Sequence, residues 1–382
     1  MELKSVQGWR ATLARFGIAV FLIVMQACAV SAPEQPPQPV SVAATDDDTA
    51  RFLAGLPVPQ GSPFYATEQS PEWNKYSSAM QTEWSETDKN QFALVDAFQQ
   101  RELARLHSHN FVFYPFSGPD VLYMMRFFPG SRVYVMCGLE PLGALPTPET
   151  FTTYQDYKFK YLEGVTRGIF RRSFFVTKDM KDTLQGGVAN GAVPVICLLL
   201  ARSGMSIDQL RFGRLDDTGR FVEVDRNSAE ATGIELSFHG ELRTIETLYY
   251  FRSDLGAPFA TNLAVQRFLD RLGTPDTFIK SASFLMHSDD FSAIRGYILA
   301  KSNLVLQDDS GIPYRYFKQA GWKVELFGQY SEPDKSFKNM RQQDLASDFS
   351  DPAKVKPLGF PIGYGSHRRP SSMMLAIRPA KN

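Results

Sequence analysis

One glycine turn, two acidic turns and one polar strand face hold the residues whose types and spacing could do chemistry. In FVFYPFSGPDVLY (111–123) an apolar run stops at Ser117-Gly118-Pro119-Asp120 and another begins, and Glu140 closes the next apolar run, RVYVMCGL. A glycine at such a turn lets backbone approach a ligand. A helix starting at Pro119 would point free N–H groups at that ligand, and a carboxylate after the following strand can accept from ribose hydroxyls. Ser117, Gly118, Asp120 and Glu140 are therefore candidate ligand-binding residues. The structural alternative is a plain corner, because strand-to-helix turns favour small residues and an N-cap for their own sake.

Asp308-Asp309-Ser310-Gly311 offers two carboxylates for general acid and base work, although the same composition suits a hairpin turn. His287 joins Asp308 and Asp309 as a candidate catalytic group. It stands beside Ser288, Asp289 and Asp290, a turn too poor in oxygen ligands for a hard metal, and no metal site is expected. Glu235, Ser237 and His239 alternate along one strand, which suggests a nucleophile and a base. Alternate strand residues lie about 7 Å apart, however, so a solvated face is the better reading. His107-Ser108-His109 lacks any zinc-site or HExxH pattern, and the glycine-rich stretch 186–191 precedes an expected strand, the wrong order for a phosphate loop.

The elements that must position these residues follow from hydrophobic period. Trp73, Tyr76, Met80 and Trp84 fall on one face of a helix from Pro71 to Glu86. A second helix, Lys89 to His107, carries Phe92, Val95, Phe98, Leu103 and Leu106, with Ser85 and Asp88 as its capping pair. Strands are expected at Phe111–Phe116 and Arg132–Leu139, joined through a Pro119–Phe128 helix as a parallel βαβ unit. Val193–Leu200 reads as a buried strand, Gln209–Arg214 and Phe221–Val224 as a hairpin around Asp216–Gly219, and Ile234–Phe238 as a half-buried strand. Thr244–Arg252 and Phe278–Met286 are further strands, and Leu304–Phe317 is a hairpin around the Asp308–Gly311 turn. Helices run over Asn262–Leu272, stopped by Gly273, and over Phe291–Lys301, capped by Asp290. Trp322–Tyr330 and Met373–Ile377 close the sheet.

The amino terminus carries an address. Lys4, Arg10 and Arg15 precede the apolar run FGIAVFLIVM and then small residues around Cys28, the order of a secretory signal. The run is shorter than the roughly 20 residues that span a bilayer. Met25-Gln26-Ala27-Cys28 resembles a bacterial lipobox, which would place a lipid on Cys28. Cleavage by ordinary signal peptidase among the same small residues is the other outcome. Beyond it APEQPPQPVSVAATDDDTA reads as an extended tether. The expected organisation is a signal or lipobox segment over 1–28, a Pro-rich linker over 29–60, a helical extension over 61–109 and an α/β domain over 110–382.

With 382 residues, 43% of them apolar, the chain can bury a large core, and its 41 basic residues balance its 41 acidic ones. No single-sign block marks a nucleic-acid partner. Only Cys137 and Cys197 follow Cys28; both sit in apolar runs and are expected as buried thiols. The order of strand, glycine turn, helix, strand ending in Glu140, and later a strand, a helix and two closing strands resembles a Rossmann-like methyltransferase. That resemblance implies an α/β fold with a mainly parallel sheet, helices on both faces and a closing antiparallel hairpin, preceded here by the helical extension. It also implies S-adenosylmethionine as a cofactor, which an exported protein would rarely meet, so the cofactor stays unassigned. The tracts FYPFSGPDVLY and LQDDSGIPYRYF resemble those of exported bacterial lipoproteins to which no activity is assigned. The reading is an envelope protein facing the periplasm, lipid-anchored, in the outer membrane if the host is Gram-negative, that binds a partner or small ligand. A hydrolase or transferase at the Ser117 and Glu140 crevice, and a methyltransferase, are the alternatives.

Overall fold

A computed structural model of the protein describes residues 43–172, 188–330, 333, 335–365 and 371–379. Cys28, the residues expected as a lipobox, the expected linker as far as residue 42, Gly186-Gly187 and Arg368-Arg369 lie outside the described residues. Eleven strands form one sheet: β1 Phe111–Tyr114, β2 Val133–Gly138, β3 Ser206–Leu215, β4 Phe221–Glu223, β5 Gly233–His239, β6 Ile245–Arg252, β7 Asp276–Ile279, β8 Leu304–Gln307, β9 Lys323–Gly328, β10 Val355–Lys356 and β11 Ser372–Ile377. Their order across the sheet is β10-β9-β11-β8-β7-β1-β2-β6-β5-β3-β4. The fold is mixed α/β. The run β8-β7-β1-β2-β6 is parallel throughout. Antiparallel pairings join β11 to β8 and β9, β5 to β6 and β3, and β3 to β4, while β10 pairs parallel with β9, so the sheet is mixed and the expectation of a mainly parallel one is not met.

Strand β1 shows why the sheet is central. All four of its residues are buried, but Phe111 and Phe113 enter one core while Val112 and Tyr114 enter the other. A two-residue period splits one apolar run between two cores, and helices must cover both. The helices Val121–Phe127, Ala192–Arg202 and Pro71–Thr87 pack into the first core, and Leu263–Leu272 and Ser292–Lys301 into the second.

Where structure and expectation part, the causes are physical. Val193–Leu200 lies in a helix, Ala192–Arg202, with every residue buried. A helix enclosed on all sides shows no polar stripe, so its run cannot be told from a strand by periodicity. Part of the stretch expected as linker, 29–60, is helical. Asp46–Leu53 is a helix with a Thr45 and Asp48 capping box, three acids in its first turn, and Phe52 and Leu53 in the core. The acidic run that read as solvated tether is a helix start, favoured there by the helix dipole. Ser85 and Asp88 cap nothing, because the Pro71–Thr87 helix continues through the π-turns Asp88–Phe92 and Gln99–Leu103. Strand β7 stops at Ile279, and left-handed backbone at Ser281, Ser283 and Phe284 turns the chain. The 308–311 turn leads from β8 into a helix, Tyr314–Gln319, and not into a hairpin. There the Gln307 amide donates to Ile312 O and accepts from Ile312 N, at 2.7 and 2.9 Å. Ser288, and not Asp290, caps the turn before Ser292–Lys301.

Candidate functional site

Four neighbouring parallel strands deliver polar groups to one edge of the sheet. The segment Ser117–Asp120 follows β1, Glu140 follows β2, Lys280 follows β7 and Asp308 follows β8. Ser117, Asp120, Glu140, Lys280 and Asp308 are all buried. The turns at 117–120 and 308–311 thus share one edge, as a crevice at the carboxyl ends of parallel strands requires.

The first half is built on two glycines. Ser117 N donates to Cys137 O at 2.8 Å, binding the turn to the last residues of β2. Gly118 adopts φ +52°, and a methyl group placed on it would stand 3.6 Å from the Glu140 carboxyl. On Gly138 it would meet a Glu140 oxygen at 2.4 Å and the Tyr250 hydroxyl at 2.6 Å. Tyr250 donates to Glu140 Oε2 at 3.2 Å, and its phenol is held well above the usual range by burial and by that carboxylate. Glu140 therefore packs onto the glycine turn and leaves no gap between turn and acid for a ribose.

The second half centres on charge. Lys280 Nζ lies 2.7 Å from Asp120 Oδ2 and 4.0 Å from the centre of the Tyr123 ring. Tyr114 donates to the same carboxylate oxygen at 3.0 Å. Burial pushes the Lys280 ammonium below the ordinary lysine range, while Asp120 pulls the other way. Asp308 accepts from Ser281 N at 2.8 Å and from Ser310 N at 3.0 Å, with the Ser310 hydroxyl at 2.5 Å. Gly363 lies over it, so that a methyl group there would come 2.2 Å from Asp308 Oδ2. Tyr364 donates to Ser281 O at 2.9 Å.

The remaining candidates fall outside this network or at its rim. Asp309 is half-buried, and burial and the adjacent Asp308 carboxylate push its carboxyl up to about 8. A carboxyl that keeps its proton longer when folded makes stability fall as pH rises from its unfolded value toward 8. Asp309→Asn should therefore raise the melting temperature at pH 8 and change little at pH 4, as calorimetry at the two pH values would show. His287 stands one ring away from the network: its ring centre lies 5.2 Å from that of Phe284, which stacks on Tyr364 at 6.5 Å. Burial and the Arg315 and Arg295 charges push His287 down to about 4, so it is neutral near pH 7.

The strand cluster does not assemble. Glu235 pairs with Arg211 and accepts from the Tyr249 hydroxyl, while His239 pairs with Asp208 at 2.9 Å. Among the described residues no group of three or more His, Cys, Asp or Glu is placed to hold a metal ion. Cys137 and Cys197 are buried and unpaired. A strand expected to run to Met286 passes through Lys280 and hides it; a lysine directly after Phe278-Ile279 is the available signal. Compared with known proteins, the chain matches no family model, no curated protein and no solved structure.

Proposed function

We propose that this is an exported, lipid-anchored envelope protein whose Rossmann-like, methyltransferase-like body binds a small polar ligand at the edge formed by Ser117–Asp120, Glu140, Lys280 and Asp308. Support for the finer fold comes from strand order. By order along the chain the parallel run β6-β2-β1-β7-β8 reads third, second, first, fourth, fifth, the doubly wound arrangement whose switch point at the first strand is where ligands bind. The reversed β11 between β8 and β9 fits the closing hairpin that the methyltransferase resemblance implies.

The observation that carries the binding reading is the convergence of four strand ends on buried acids with one buried lysine. Burying charge is costly, and clusters of this kind gather at functional sites. Acids outnumber the cation, so the edge suits a ligand rich in hydroxyl or amino donors. A methyl donor is disfavoured because Glu140 already covers the glycine turn. A hydrolase or transferase centred on Asp308 is disfavoured because its oxygens are engaged by Ser281 and Ser310.

The test is a thermal-shift search on the detergent-solubilised full-length protein with polyols, amines, nucleosides and S-adenosylmethionine. Stabilisation by a polyol or amine that disappears in Glu140→Gln, with the unliganded melting point unchanged, is the expected result. Gly118→Ala should lower stability by about 1–2 kcal/mol even without ligand, because its backbone is left-handed. Stabilisation by S-adenosylmethionine alone would replace this reading with the methyltransferase. For the anchor, Cys28→Ala should abolish palmitate labelling and release the protein from membranes; equal labelling of both forms would refute it.

A further inference from the structure

The described chain enters the body at one particular end of the sheet. Asp47, in the first turn of the Asp46–Leu53 helix, accepts from Ile207 N at 2.8 Å, at the start of β3. Ser206, beside it, pairs with His239 at the end of β5. Directly after His239 comes the turn 240–244, closed by Arg243 N donating to Gly240 O at 3.0 Å, and β6 begins at Ile245. The entry of the chain and this turn therefore lie at the same end of the sheet. It is the amino end of the parallel strands, because β6 runs parallel to β2. The polar edge described above lies at the opposite, carboxyl end.

That turn carries the most exposed large apolar side chain among the described residues. Leu242 is 92% exposed and Ile245 64%, and half-buried Met205 sits beneath Gly240. Single exposed apolar residues need no explanation, but two on one turn, next to the point where a tethered chain enters, have an occupant at hand. Cys28 and Thr45 are 17 residues apart in the sequence, so at no more than about 3.5 Å per residue the entry end cannot lie farther than about 60 Å from an anchored Cys28. Exposed Glu241 and Arg243 flank Leu242 with opposite charges, so the tip has no net sign to seek anionic lipid.

We propose that the Gly240–Ile245 tip seats Leu242 and Ile245 in the lipid interface of the anchoring membrane, so that the polar edge at the opposite end of the sheet faces away from the bilayer. This rests on the lipid-anchor reading. The two are separable with the full-length protein in lipid vesicles. A bimane dye is attached to Leu242→Cys and, separately, to Leu139→Cys, a 52% exposed site after β2 at the crevice end. Buried Cys137 and Cys197 are shielded from the dye. Brominated lipids should quench the dye at 242 by about twofold, because interfacial apolar side chains sit about 5–10 Å into the headgroup boundary. The dye at 139 should be unaffected, and added salt should not change either result. Mass spectrometry of Cys28 in the same sample reports the anchor independently. Lipid on Cys28 with an unquenched dye at 242 would overturn the orientation and leave the anchor intact. A dye at 242 shielded from a water-soluble quencher but not quenched by brominated lipid would assign the tip to a protein surface and also overturn it. Absence of lipid on Cys28 would refute the anchor and with it the orientation.

Discussion

Lys280→Met should destabilise the protein by about 3–5 kcal/mol, the usual cost of removing one partner from a buried ion pair. The side chains of Lys280 and Asp120 are 2% and 4% exposed, and their charged atoms are 2.7 Å apart. Methionine fills nearly the same volume, so packing loss contributes little and the cost falls on the Asp120 carboxylate left without its ammonium. Tyr114 would still donate to that carboxylate, which sets the lower end of the range. The double variant Asp120→Leu with Lys280→Met should recover much of the loss, since an apolar pair of similar volume often matches a buried ion pair. Urea midpoints of the four proteins close the cycle. Near-additive losses would show that the pair is not coupled and would remove the charge network from the candidate site.

Such a network was only half legible in the sequence. Ser117, Gly118, Asp120 and Glu140 were found because a glycine between two apolar runs marks a strand-to-helix turn wherever it occurs, and β1 and β2 flank it as expected. Alternation likewise marked β5, with Ile234, Leu236 and Phe238 buried. Closing strands β9 and β11 were recognised from their composition. What stayed hidden was set by burial on every side and by contacts distant in sequence. Val195 and Leu198 belong to a helix that shows no polar face because no face of it meets water. Lys280 passes for an ordinary residue of a strand running to Met286, because its carboxylate partner is 160 residues away in the chain. The acids Asp46, Asp47 and Asp48 read as tether because only the folded helix behind them gives them a cap to make.

Asp276→Ala should cost on the order of 4 kcal/mol, and it decides the meaning of an arrangement at the other end of the sheet. Ser131 Oγ lies 3.0 Å from His107 Nε2, and His107 Nδ1 lies 2.7 Å from Asp276 Oδ2. These are the contacts of a serine nucleophile, its base and the carboxylate that orients the base. The setting differs. The His107 and Asp276 side chains have no exposure, Ser131 is fully buried, and all three stand at the amino ends of β2 and β7, away from the crevice. Asp276 also accepts from Ser108 N at 2.7 Å, from the Ser108 hydroxyl at 3.0 Å and from Asn303 Nδ2 at 3.0 Å. Its carboxylate thus joins the end of the helical extension, the start of β7 and the turn before β8. Removing it leaves several buried donors unsatisfied at about 1–3 kcal/mol each, which relaxation reduces to the stated total. Ser131→Ala should cost only about 1 kcal/mol, since the hydroxyl contacts to His107 and, at 3.4 Å, to Phe128 O are lost and no charge is stranded. A nucleophile reverses this ranking in a different measurement: a fluorophosphonate would label Ser131 in the native protein, and His107→Gln would abolish the label. With no surface on the serine and the carboxylate engaged on both oxygens, the expected result is no label before unfolding and a large stability loss in Asp276→Ala.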